Sequence, residues 1–363
     1  MKRALLLAAM ASLPASAADL KFSGFGSLVG AEVLSGDGYV AHYPSMATYD
    51  SKFDITEESR LGLQATAVFT DELSTTIQMT SRGSLNWEPD IEWFYLTWQP
   101  KTEWRIQAGR MRIPAYLYSD YMDVGFAYNF IRVPGDAYSV DAVNYNGLSA
   151  TYSHSFGSVD TSFQLYGGRE KTEPNVLMSY IRQFEHDRDY TDMYGAVFNL
   201  WYRWLNFRLS YLTTDIQEEA DPDVVPVFVT PIRTLPNGRV ITDDFNIQFY
   251  DVAFLLDFNP VSVVVEYNEY EYYTSWLASF AYNMDKWTYH FTASDFELNE
   301  PWEAHSTVGV GFRYDVNSNL AFKMQLDRFD DTGENPFTGA PNPICRCADG
   351  DVMVLSAGVD FVF

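Results

Sequence analysis

The chain has two cysteines, Cys345 and Cys347, and five histidines in 363 residues. So few cysteines exclude a small disulfide-stapled scaffold. The pair stands two residues apart, where a bridge is strained, so a local disulfide and an unpaired pair both stay open. No histidine lies beside them, so no metal site is expected there. No CxxCH occurs for haem, and no glycine-rich phosphate loop follows a strand. No cofactor is expected. Positive charge is scarce too: 24 Lys and Arg against 49 Asp and Glu leave a formal charge of −25. So acidic a chain repels nucleic acid and anionic head groups. Long apolar runs are missing as well. Beyond the N-terminal segment the longest, such as 276–282, fall far short of the ~18 residues a membrane helix needs. Strands are not excluded, since a barrel strand needs only about 9–11 residues with alternate positions apolar.

What is present starts with Met1-Lys2-Arg3, an apolar run over 4–13, Pro14, and Ala15-Ser16-Ala17. That is the layout of a secretory signal peptide cleaved after Ala17, leaving 18–363 as one domain. Aromatic residues make up 17%, and membrane barrels need them for girdles at both bilayer interfaces. The dominant signal is period two. Leu61, Leu63, Ala65, Ala67 and Phe69 form one apolar row. Trp287, Tyr289, Phe291 and Ala293 alternate with Thr288, His290, Thr292 and Ser294. Val308, Val310, Phe312 and Tyr314, then Leu320, Phe322, Met324 and Leu326, repeat the pattern. One greasy and one wet face suit a strand between lipid and a water-filled lumen.

The pattern predicts sixteen strands, at 20–33, 58–69, 73–82, 91–99, 104–113, 147–156, 159–168, 192–204, 206–215, 246–258, 261–271, 275–283, 286–295, 305–315, 320–329 and 352–363. Tight turns join pairs of them, and long polar segments at 34–57, 114–146, 169–191, 216–245 and 330–351 separate the pairs. Short turns on one side and long loops on the other make an all-β transmembrane antiparallel barrel, with an even strand count. Asn146-Gly147 reads as a bend where a loop re-enters the wall, because a hairpin there would break the parity.

Three stretches resemble the Gram-negative trimeric porins of the outer membrane. Ser59-Arg60-Leu61-Gly62-Leu63-Gln64 looks like their second strand with its lumen-facing arginine. Ile106-Gln107-Ala108-Gly109-Arg110 looks like the strand that leads into their third loop, which folds into the pore. Val352 to Phe363 closes on Asp360-Phe361-Val362-Phe363, and Phe361 and Phe363 look like the mark read by the barrel-assembly machinery. The resemblance implies a homotrimer in the outer membrane, reached through the periplasm and bounded by lipid and lipopolysaccharide. It implies a channel passing small hydrophilic solutes by diffusion, with a solute-specific channel as the alternative.

A pore selects by size and field rather than by bond-making. By the resemblance, Arg60 and Arg110 face the lumen. Arg112 shares the face of Arg110 by period two, and Arg82 lies on the polar face of its strand. Asp120 and Asp123 are the acids that could oppose them, with Arg132 and Asp136 as further constriction candidates. Ordinary wall salt bridges are the other reading of all eight. Tyr116, Tyr118 and Tyr121 could stack flat solutes or pack the loop against the wall. Catalysis is poorly supported: Ser153-His154-Ser155 sets the serines on the face opposite the histidine.

Overall fold

A computed structural model of the chain describes residues 19–36, 38–41, 46–138, 141–182, 184–227, 229–299, 303–333 and 351–363. The expected signal peptide and Cys345 and Cys347 lie outside the described residues.

Sixteen long strands run in chain order. They are β1 (Asp19–Ser35), β2 (Arg60–Val68), β3 (Leu73–Arg82), β4 (Pro89–Lys101), β5 (Trp104–Arg112), β6 (Asn144–Phe156), β7 (Val159–Thr172), β8 (Asp187–Tyr202), β9 (Leu205–Ala220), β10 (Val240–Asp257), β11 (Val261–Tyr270), β12 (Tyr273–Met284), β13 (Trp287–Leu298), β14 (Ala304–Asn317), β15 (Leu320–Asp331) and β16 (Asp351–Val362). Each pairs antiparallel with its sequence neighbour, and β1 pairs with both β2 and β16, so the sheet closes. The last residue joins the seam: the Phe363 N–H donates to Gly24 O at 3.0 Å and Gly24 N–H to Phe363 O at 2.9 Å. Closure leaves no edge to be satisfied by lipid. The two-residue turns at Gly157, Arg203 and Asp285 each open with a positive φ, which matches the twist of the flanking strands.

Burial is inverted relative to a water-soluble protein. Leu61, Leu63, Phe291, Val308 and Val310 are exposed, while Thr292, Ser294, Lys323 and Gln325 are buried. The apolar row faces lipid and the polar row faces inward. Trp98, Trp104, Trp201, Trp204, Phe258 and Trp287 lie exposed near the short-turn end. Tyr194, Tyr250, Tyr267 and Trp276 lie toward the other end. These are the two girdles that the aromatic content anticipates.

All sixteen predicted strands are present, but their ends differ. β8, β9 and β10 run 16, 16 and 18 residues, longer than a bilayer crossing of about 9–11 needs. The expected loop 216–245 therefore shrinks to 221–239. Glu218 pairs across the ladder with Asp243, and Gln217 with Asp244. Acidic residues standing above the membrane hide the apolar alternation there. Asn146 and Gly147 do not bend. They lie inside β6, opposite Arg110 and Gly109, because Gly147 lets the backbone of β7 come close. A Cβ there would meet Gly167 O at 2.0 Å.

The inner face is not uniformly wet. Met193, Val197, Leu212, Ile216, Ile247, Phe249 and Leu277 on β8–β10 and β12 are buried in one core with Tyr116, Met122, Tyr138 and other residues of segment 113–143. That segment, the third loop on its side, is folded inward. Chain rather than water occupies this part of the lumen, so apolar wall residues are stable there.

Candidate functional site in the barrel lumen

The inward loop starts where β5 ends. Ile113 N–H donates to Val143 O at 2.9 Å and ties its two ends together. Gly109 prepares that exit: its φ is +139°, and a Cβ would lie 2.2 Å from Phe94 O. Only glycine tolerates that conformation and that approach to β4.

From there the loop bonds to walls on opposite sides. On one side Arg208 of β9 donates to Pro114 O at 2.6 Å, and Ser210 donates to Ala115 O. Glu266 of β11 accepts from Leu117 N–H at 2.9 Å and from the Tyr138 hydroxyl. Further round the barrel, Arg313 of β14 donates to Phe126 O at 2.6 Å. Lys323 of β15 donates to Gly125 O at 2.6 Å and Phe130 O at 2.9 Å. Gln325 accepts from Ile131 N–H at 2.7 Å. Backbone polar groups in a low-dielectric interior need such partners, and the polar inward rows supply them.

The loop's acid Asp123 lies at the centre of the arginines. Its carboxylate accepts from Arg82 at 2.8 Å and from Arg112 at 2.6 Å, and its main-chain oxygen accepts from Arg60 at 2.8 Å. Arg60 also donates to the Tyr128 hydroxyl at 2.6 Å. Glu92 completes the cluster, 2.7 Å from Arg82 and 3.3 Å from Arg112. Burial alone would push the Asp123 carboxyl up, but Arg82, Arg112 and Arg60 outweigh it and hold the group well below the usual carboxylate range.

Arg132 and Asp136 anchor the loop elsewhere. Arg132 forms a two-pronged pair with Glu58, with a closest contact of 2.5 Å, and reaches Asp327 at 2.7 Å and Ser356 at 2.6 Å. Asp136 lies 2.5 Å from both Ser294 Oγ and His305 Nδ1. Arg110 and Asp120 stay apart. Arg110 binds Glu170 at 2.8 Å and Ile91 O at 2.9 Å, and Asp120 is exposed. Tyr118 packs among Tyr121, Tyr128, Phe130 and Tyr138 at ring separations of 5.5–6.0 Å. Tyr116 contacts Tyr138 and Phe249 at 4.6 and 5.0 Å. Phe361 and Phe363 cover Gly26 and Gly24 on β1.

Sequence reasoning missed Glu266, Arg208, Arg313 and Lys323 as loop anchors, and Glu92 as a member of the arginine cluster. A register shift between Gln78 and Met79 leaves Glu92 as the extra residue of a bulge on β4, and such a bulge re-aims side chains. No local pattern announces it. Arg208, Glu266 and Lys323 did carry a signal, since each is a charge on the inward row of an otherwise alternating strand.

No protein-family model and no curated protein sequence matches the chain. Solved structures do match. The outer membrane channel DcaP of Acinetobacter baumannii is 12% identical, over 96% of this chain and 98% of that one, with a TM-score of 0.62. The anion-selective porin from Comamonas acidovorans is 9% identical, over 95% and 100%, at 0.59. Salmonella typhi OmpF, in a complex with daunomycin, is 13% identical, over 95% and 97%, at 0.59. At such low identity the likeness establishes the fold, and that fold is the closed sixteen-stranded antiparallel barrel of bacterial outer-membrane porins.

Proposed function

We propose that the chain is a solute channel of the bacterial outer membrane. Residues 1–17 direct its export to the periplasm, the barrel-assembly machinery reads its closing strand, and the mature barrel forms a homotrimer among lipid and lipopolysaccharide. Small hydrophilic solutes and ions cross passively, under control of the inward loop. The observation that carries this reading is that loop 113–143 folds into the barrel and is bonded to β3, β9, β11 and β15, which lie on opposite walls. The same bonds favour the narrower variant, a solute-selective channel, over an open sieve, because a loop held on both sides leaves less room to pass.

Single-channel recording in planar bilayers tests this. The intact chain should give small conductance steps. Replacing 117–131 by a short Gly-Ser link should enlarge them several-fold. Equal steps in both proteins would show that the loop does not set the bore. No steps in either, from barrels that fold normally, would remove the channel reading.

A further inference from the structure

A cavity of about 680 Å³ opens above the start of the inward loop, among the extended ends of β8–β10 and the adjoining rim. Its size is that of a small-molecule site, typically ~300–1,000 Å³. Its walls are aromatic: Tyr116, Phe245, Phe249, Tyr270, Tyr273 and Phe296 all line it. Several are already arranged as a stack. Tyr270 and Tyr273 are 4.8 Å apart with planes at 13°, and Tyr273 and Phe296 are 4.7 Å apart. Methionine and leucine (Met178, Met193, Leu212) fill the gaps between rings.

The ionisable lining is one-sided. Among the described residues, Asp141, Asp243 and Glu303 line it with one cation, Arg188. Arg188 is committed, to Asp141 at 2.7 Å and to Glu218. An incoming anion would meet an excess of carboxylates among the described lining residues. An incoming ammonium would meet carboxylates and aromatic faces, and both attract it.

We propose that this vestibule binds flat aromatic amines: ring compounds that carry one ammonium group, in preference to their neutral and carboxylate counterparts. The inference rests on the channel reading only for the route by which such a solute arrives. Binding itself needs no conductance, so the test separates the two.

The test is titration calorimetry on the purified full chain in lipid nanodiscs with three isosteric probes. They are 1-naphthylmethylamine, 1-naphthalenemethanol and 1-naphthoate. The amine should bind saturably, about tenfold or more tighter than the naphthoate, with the alcohol between. Met178→Trp, on the short helix Val176–Arg182 outside the sixteen strands, should fill space and weaken the amine by about tenfold with the barrel intact by heat modifiability. Asp243→Asn combined with Glu303→Gln should narrow the gap between amine and naphthoate to within about threefold. Absence of saturable binding by every probe overturns the site. So does naphthoate binding as tightly as the amine in the unaltered chain, or amine binding indifferent to Met178→Trp. Conductance without binding would overturn this inference alone.

Discussion

Asp123 holds together three arginines that the chain brings from 63, 41 and 11 residues away. Its carboxyl lies below its unfolded value of about 3.9, so its contribution to stability is fully present above that value. It declines progressively as pH falls from there and is gone once pH has fallen through the depressed one. Asp123→Asn would remove the charged carboxylate that Arg82 and Arg112 share beside Glu92. Removing one partner from a buried charge cluster costs about 3–5 kcal/mol. The variant should therefore unfold at lower temperature than the native barrel, and the gap should be the same at pH 7 and about pH 4. It should close only in stronger acid. Melting curves of both proteins across that range decide the matter. A gap that closes with a midpoint near 4 would show that the arginines do not hold the carboxyl down. Of the candidate constriction residues, Arg60, Arg82, Arg112 and Asp123 meet, while Arg110 and Asp120 do not. Period two could not separate Arg110 from Arg112, because it fixes the parity of a side chain and not how far the chain end curls inward.

At the scale of elements, the exit of the inward loop depends on one glycine. Gly109→Ala would force a side chain into φ +139° and against Phe94 O. Backbone strain of that kind costs about 1–3 kcal/mol before the clash is counted. The fraction of heat-modifiable barrel recovered from outer membranes should fall clearly below the native level, and a normal yield would refute this account of the β4–β5 approach. Strand existence was legible almost throughout because alternation is local: each residue's face follows from its neighbour's. Strand ends were less legible. The ends of β8, β9 and β10 run past the length a bilayer crossing needs, and acidic residues there, such as Glu218 paired inward with Arg188 and exposed Asp244, break the apolar alternation.

At the scale of the whole molecule, charge acts through what remains unpaired. Several acids at or near the long-loop ends of the strands are spoken for. Glu58 pairs with Arg132, Glu170 with Arg110, Asp187 with Arg239 and Glu218 with Arg188. The chain nevertheless keeps a formal charge of −25, and Asp189, Asp221, Asp223 and Asp244 stand at the mouth side. Mouth charges enrich cations over about a Debye length, ~10 Å at 0.1 M salt and ~3 Å at 1 M. The expected result is a modest cation preference at low salt that fades as salt rises, read from the zero-current potential across a KCl gradient. Anion preference at low salt would mean that Arg60, Arg82 and Arg112 dominate despite Asp123 and Glu92. A cation preference that survives high salt would place the selective charges inside the lumen.

Strand number, parity of the connections and the lipid-facing row were determined by the sequence alone, because each rests on short-range alternation and on the demand that lipid be met by apolar side chains. Tertiary structure alone decided the interior. Leu212, Ile247 and Phe249 face inward and are buried only because the loop packs against them. Glu92 enters the arginine cluster only through a bulge. Glu266 becomes a loop anchor only when Leu117 and Tyr138 arrive, from 149 and 128 residues away. A closed barrel brings opposite walls within reach of one loop, and no local pattern encodes which of their charges will meet.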